Sequence, residues 1–84
     1  QEMAVDAATR FKDMRKAKKI KLKDLSKNSG VPYSTIRRFE SSGEISFLSL
    51  VKIVSTIGED EEIANLFTRR IPASIEEIIR ENRR

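Results

Sequence analysis

The sequence has neither cysteine nor histidine. Without cysteine there are no disulfides and no thiol chemistry, and the two absences together remove the usual zinc ligands. Histidine is also the side chain that most often serves as a general base near neutral pH. Since no ligand-spaced group of carboxylates is visible, we expect neither an enzyme nor a bound metal or cofactor.

Long apolar stretches are also missing. No run approaches the roughly 20 residues that a membrane span needs, and no secretory signal is visible at the N-terminus. We therefore expect no membrane association, and the lack of cysteine fits a cytoplasmic protein. With 84 residues, the chain is expected to form a single domain over residues 1–84, because two smaller domains would each bury too little surface.

Charge of one sign is concentrated in one part of the chain. Between Arg10 and Arg38 there are eleven basic and two acidic residues, whereas residues 39–68 contain one basic and six acidic. The first block would attract a polyanion. Lysine and arginine can equally serve only to solvate helix surfaces, so the charge distribution alone leaves both interpretations open.

Apolar residues recur at helical spacing, and strand patterns are nearly absent. The spacing predicts four helices at about residues 6–18, 22–29, 33–41 and 47–57, and a fifth that opens in the acidic run at 59–62. Ser46 is the expected N-cap of the fourth helix. The expected apolar residues of the fifth helix are Ile63, Leu66 and Phe67.

The ends of the first two helices are predicted from individual residues. Asp6 is the expected N-cap of the first helix, because its carboxylate can accept from free backbone N–H groups. Ala7, Phe11 and Met14 are the expected buried stripe of that helix. Gly30 is expected to end the second helix in a left-handed conformation.

The C-terminal residues 69–84 are predicted to form a linker followed by a short helix. Ser74 and Glu77 have the spacing of a capping box at the start of that helix. Three isoleucines share one of its faces: Ile75, Ile78 and Ile79. This face is either a dimer or partner surface, or it packs on the core of the same chain.

Residues 22–41 have the pattern of a helix-turn-helix. The small side chain of Ser26 lets two helices approach closely, and Gly30 suits the tight turn between them. Three apolar residues would bury the turn and the back of the third helix: Val31, Ile36 and Phe39. An ordinary helical hairpin is the alternative, and the combination of short turn, glycine and apolar positions argues against it.

The opposite face of the third helix is polar. At about 100° per residue it collects hydroxyl and guanidinium groups and no carboxylate, from Tyr33, Ser34, Arg37, Arg38 and Ser41. Arginine can bind guanine O6 and N7 in bidentate fashion, and hydroxyls can reach bases or phosphates. Because this face falls within the basic block, the sequence predicts a nucleic-acid-binding domain.

The stretch from Phe11 to Ile57 resembles the lambda-repressor-like, or XRE, helix-turn-helix domains. The matching residues are Phe11, Met14, Arg15, Ile20, Leu25, Gly30, Val31, Ile36, Phe39, Glu40 and Leu50 to Ile53. The resemblance implies an all-α, five-helix lambda-repressor-like DNA-binding domain, here with a short appended C-terminal helix. It also implies a sequence-specific regulator of transcription, a repressor that binds a palindromic operator in double-stranded DNA as a homodimer.

The resemblance also assigns roles to individual residues. It places Tyr33, Ser34 and Arg38 in slots that face base edges, and Thr35 and Arg37 in slots at or near phosphates. Arg15 and Glu40 match a charged pair that ties the first helix to the end of the recognition helix. Such a pairing would explain a carboxylate so near DNA.

The sequence departs from the family pattern at three positions. Leu22 replaces the glutamine that often grips phosphate, although Lys21 and Lys23 could supply the charge there. Pro32 replaces the usual serine cap of the recognition helix. Glu44 lies in a turn that is one residue longer than is common, where many relatives are basic, which puts phosphate contact by that loop in doubt.

The segment from Phe39 to Ser46, followed by Leu48 and Leu50, also resembles the HipB-like antitoxins, whose partners are HipA-like kinase toxins. Both an antitoxin and a phage-type or general repressor therefore stay open. The alternative from another class is a protein-interaction domain of the same fold that does not read DNA. Its support is the acidic run at 59–62 and the apolar face of the last helix.

Overall fold

The computed structural model of the protein describes residues 2–69. Within that range the chain forms five α-helices and no strand, with α1 at Glu2–Ala17, α2 at Leu22–Ser29, α3 at Tyr33–Ser42, α4 at Phe47–Thr56 and α5 at Asp60–Ala64. The bounds of α2 are those expected, and the far ends of α3 and α4 differ from the expected ones by one residue. The predicted last helix, including Ser74 and Glu77, lies outside the described residues.

The predicted start of α1 at Asp6 is wrong. The helix begins at Glu2, because glutamate, methionine and alanine all favour helix and nothing before Asp6 breaks it. Ala7 was also wrongly placed in the buried stripe, since it is exposed while Ala8 is fully buried. Both alanines have helical spacing to Phe11, and packing against the rest of the fold selects Ala8.

The fifth helix is shorter than its apolar residues suggest. It ends at Ala64 after five residues, so Leu66 and Phe67 lie beyond it. Ile63 packs against the core, whereas Phe67 is 96% exposed and has a positive φ of 60°. The assignment of Leu66 and Phe67 to the helix was therefore wrong.

The core joins all four longer helices. Its buried residues are Ala8 and Phe11 from α1, Leu25 from α2, Val31 from the turn, Ile36 and Phe39 from α3, and Ile53, Val54 and Ile57 from α4 and its end. The rings of Phe11 and Phe39 meet edge to face with centroids 5.6 Å apart, an arrangement that adds about 0.5–1.5 kcal/mol beyond burial. This core fixes α3 against α1 and α2.

The turn between α2 and α3 is held by hydrogen bonds as well as by packing. Gly30 has a left-handed φ of 79°, and its N–H donates to the Ser26 carbonyl oxygen at 3.0 Å. The Ser26 Oγ donates to the Val31 carbonyl oxygen at 2.7 Å. The Val31 N–H in turn donates to Ser29 Oγ at 3.1 Å. Gly30 thus ends α2 as predicted, and the turn sets the angle at which α3 leaves it.

Candidate nucleic-acid interface

The face of α3 that points away from the core is open to solvent. Five residues of α3 are predicted to bind DNA. Thr35 is half-buried, and the other four are exposed: Tyr33, Ser34, Arg37 and Arg38. On the other side, Ile36 is fully buried and Phe39 nearly so. The structure therefore brings the five residues onto one helix whose orientation is fixed by the core behind it.

The first turn of α3 carries no side-chain cap. Pro32 precedes the helix with φ −56° and ψ 143°, and its carbonyl oxygen accepts from the N–H groups of Thr35 and Ile36 at 3.0 and 3.1 Å. A serine at this position would instead turn its hydroxyl onto the first-turn amides. Proline leaves the positive end of the helix dipole beside Tyr33 and Ser34, where an anion is favoured.

Two lysines flank the start of α2, which packs against α3. Lys21 is the N-cap residue with an extended backbone, and it and Lys23 are both exposed. Leu22, between them, packs against the core. Burial of this side chain gives a physical reason for leucine at a position where relatives often have glutamine.

The guanidinium of Arg38 is engaged by a carboxylate that sequence reasoning did not assign to this face. Its Nη2 donates to Glu44 Oε1 at 2.5 Å, and both side chains are largely exposed, at 71% and 63%. Glu44 follows α3 in the loop before α4. The sequence showed that Glu44 is acidic at a position where many relatives are basic. It did not show that Glu44 would contact Arg38.

Arg15 and Glu40 form a buried, bidentate pair. Arg15 Nε donates to Glu40 Oε2 at 2.7 Å and Nη2 donates to Oε1 at 3.0 Å, with the two side chains 8% and 4% exposed. The remaining nitrogen, Nη1, donates to the carbonyl oxygen of Ile20 at 2.8 Å. One side chain thus joins α1, the loop after it and the last turns of α3.

The acidic run at 59–62 follows α4 and is separate in the sequence from the polar face of α3. One of its residues forms an ion pair with the segment after α1. Glu59 accepts from Lys18 Nζ at 3.1 Å, which links the end of α1 to the turn before α5. An open apolar groove is lined by residues of α1, α3, α4 and α5 and of the segments beside them, including Ala7, Phe47, Leu50, Ile63 and Leu66. An exposed apolar groove is a surface of a kind that proteins use to bind other proteins.

The predicted dimer or partner residues Ile75, Ile78 and Ile79 lie outside the described residues. In the part of the chain that is described, no group of three or more acidic residues is placed to hold a metal ion. No helix between residues 2 and 69 has the length and apolar character to cross a membrane.

Comparison with known proteins gives one match. The family model described as "Helix-turn-helix" matches residues 11–63, which is more than half of the chain and includes the second part of α1, all of α2, α3 and α4, and most of α5. No curated protein and no solved structure matches the chain.

Proposed function

The chain belongs to the XRE-type helix-turn-helix family of DNA-binding regulators, and on that basis we propose that it represses transcription by reading an operator in double-stranded DNA with the outer face of α3. One observation carries this proposal. The first turns of α3 expose polar side chains and no carboxylate, while Ile36 and Phe39 on the opposite side are buried in the core. A recognition helix needs this arrangement, since its N-terminal residues contact base edges in the major groove.

We assign the contacts according to the slots that the family resemblance gives to the residues of α3. Tyr33, Ser34 and Arg38 face the base edges, where hydroxyls and a guanidinium can hydrogen bond. The same resemblance puts Thr35 and Arg37 at or near the phosphates. The exposed lysines at the start of α2, Lys21 and Lys23, add phosphate contacts that position the helix without specifying sequence.

The proposal extends to a homodimer on a palindromic operator. A single recognition helix reads only a few base pairs, and two-fold dimers of such domains place two helices about one turn of DNA apart. The apolar groove beside Leu66 and the isoleucine face of Ile75, Ile78 and Ile79 are the surfaces proposed for the dimer. In this proposal residues 1–84 act as one domain, with DNA on one side and the partner copy on another.

A HipA-like kinase toxin is the further partner that we propose. Its support is the resemblance of the segment Phe39 to Ser46, with Leu48 and Leu50, to HipB-like antitoxins. Leu48 is 64% exposed and Phe47 59% exposed, so apolar area in this segment is available to a second protein. In this reading the chain is both the repressor and the antitoxin of a toxin–antitoxin module.

The experiment that tests DNA reading compares Arg38→Ala with Arg37→Ala on a duplex selected by the wild-type chain from a random pool and on a scrambled duplex. The wild type should bind with an affinity that falls steeply with salt, because bound counterions are released from phosphates. Arg38→Ala should cost on the order of 1–3 kcal/mol on the selected duplex and relax preference at one base pair. Arg37→Ala should weaken both duplexes alike and reduce the salt slope by about one.

The two substitutions remove the same charge, so each is the control for the other. Equal losses on both duplexes would show that Arg38 acts only as a positive charge. Absence of salt-dependent binding to any duplex by the wild type would contradict the proposal as a whole and favour a protein-interaction domain.

Self-association is tested separately. Replacing Ile75 and Ile78 together by serine should shift the sedimenting species from dimer towards monomer at micromolar concentration, because two large apolar side chains leave the interface. Circular dichroism of the same variant is the control. Loss of helix content would indicate that the isoleucines pack on the chain's own core, and a dimer of unchanged affinity would place the interface elsewhere.

A further inference from the structure

The contact between Arg38 and Glu44 is supported by the local structure that surrounds it. Ser42 Oγ donates to the carbonyl oxygen of Arg38 at 2.7 Å and accepts from the N–H of Glu44 at 3.2 Å. One hydroxyl therefore connects the backbones of the two residues whose side chains meet. Ser41 Oγ also donates to the Arg38 carbonyl oxygen, at 3.1 Å.

The loop that presents Glu44 is also fixed from the other side. Gly43 ends α3 with φ 81°, and its N–H donates to the Phe39 carbonyl oxygen at 2.7 Å. The first turns of α1 lie so close that a Cβ on Gly43 would fall 2.7 Å from the carbonyl carbon of Ala4. The position of the Glu44 backbone relative to α3 is therefore set by helix end, hydroxyl and neighbouring helix together.

The pair leaves Arg38 able to bind a base but less able to bind a phosphate. A guanidinium has five N–H donors, and Glu44 accepts from Nη2 only, so donors remain for guanine O6 and N7. These acceptors belong to a neutral base, whereas a phosphate brings a negative charge against the carboxylate of Glu44. Repulsion between the Glu44 carboxylate and a phosphate therefore weakens binding to wrong DNA sites more than it weakens binding to the best site.

We propose, resting on the proposed function above, that Glu44 is a specificity-determining residue that holds Arg38 for guanine and disfavours its use as a phosphate clamp. Glu44 lowers affinity for every duplex in which Arg38 has no guanine to bind. Where guanine is present, the fixed guanidinium loses less conformational freedom on binding, and this offsets the repulsion. The net effect is a larger ratio between specific and nonspecific affinity.

The test is Glu44→Gln, measured by fluorescence anisotropy on the duplex selected by the wild type from a random pool and on a scrambled duplex of equal length and composition. Affinity for the scrambled duplex should rise roughly threefold to tenfold, in keeping with one partly screened surface charge. Affinity for the selected duplex should change by less than about twofold, so the selectivity ratio falls. An unchanged thermal melt checks that the variant is folded.

Two further variants isolate the cause. Glu61→Gln removes the same charge from an exposed position on α5 and should leave the selectivity ratio unchanged. In an Arg38→Ala background, Glu44→Gln should strengthen binding to both duplexes equally. In that background the Glu44 carboxylate still repels phosphates, but no guanidinium is left for it to position.

The outcomes separate this inference from the proposed function. Wild-type selectivity that survives Glu44→Gln intact would overturn the inference and leave DNA reading in place. A fall in the ratio that Glu61→Gln reproduces would show an effect of net charge and overturn it as well. A wild-type chain that binds both duplexes equally would overturn the proposed function, and the inference with it.

Discussion

Arg15→Met is expected to lower the free energy of unfolding by about 3 kcal/mol, because it leaves the Glu40 carboxylate buried without its partner. The Glu40 side chain is 4% exposed and receives two hydrogen bonds from Arg15. Methionine fills much of the same volume, so the loss reports the missing charge and donors more than a cavity. Urea denaturation followed by circular dichroism measures the change.

The matched control replaces both partners. Arg15→Met combined with Glu40→Leu should recover much of the loss, because an apolar pair of similar volume is often as stable as a buried ion pair. Recovery should stay incomplete, since the hydrogen bond from Arg15 to the Ile20 carbonyl oxygen is lost in both variants.

A second comparison uses an ion pair that water reaches. Lys18 and Glu59 are 39% and 28% exposed in their side chains, so Lys18→Met should cost about 1 kcal/mol or less.

Two results would contradict a coupled, buried pair of Arg15 and Glu40. One is an Arg15→Met variant that unfolds at the wild-type urea concentration. The other is a pair of losses that simply add when Arg15→Met and Glu40→Leu are combined.

The architecture could be predicted from sequence because its signals are local. The predicted all-α, five-helix lambda-repressor-like fold is confirmed for the described residues. Gly30 marks the end of α2, and the Ser46 Oγ caps α4 by accepting from the Ser49 N–H at 3.1 Å. These stop and start signals depend on residues within one turn of each other.

The errors in α1 and α5 arise where local signals compete or tertiary packing decides. Asp6 is a good N-cap, yet the residues before it favour helix as well, and a cap residue does not stop a helix that can continue. Ala7 and Ala8 are indistinguishable by spacing to Phe11. The exposed Phe67 shows the reverse problem, since an apolar residue at helical spacing need not be buried.

At the candidate site, the outward face of α3 could be predicted and the partner of Arg38 could not. Helical periodicity alone separates the polar face from Ile36 and Phe39. The placement of Glu44 depends, besides the local hydrogen bonds of Ser42 and Gly43, on the close approach of α1 at Ala4 to Gly43, which is far away in the sequence. No pattern in a single sequence reports such a long-range approach.

That approach predicts a large loss of stability for Gly43→Ala, about 2–4 kcal/mol, made up of two separable costs. The first is the left-handed backbone at φ 81°, which costs an alanine about 1 kcal/mol. The second is steric: the new Cβ would lie 2.7, 2.8 and 2.9 Å from the carbonyl carbon, oxygen and Cβ of Ala4. Two of these atoms belong to the α1 backbone, so α1 or the loop must move, at about 1–3 kcal/mol for overpacking.

Gly30→Ala is the matched control for this prediction, since Gly30 has φ 79° but no atom within 4 Å of an added Cβ. Gly30→Ala should bear only the backbone cost, about 1 kcal/mol. The difference between the two variants in urea denaturation therefore measures how firmly α1 packs on the loop that carries Glu44. Amide hydrogen exchange in the second turn of α1, whose N–H groups donate to the carbonyl oxygens of the first turn, should speed up in Gly43→Ala and not in Gly30→Ala, because only the first displaces the start of α1. Equal losses of stability in the two variants would mean that α1 moves away from the new Cβ at no cost in free energy. The loop that carries Glu44 would then not be held in place by α1.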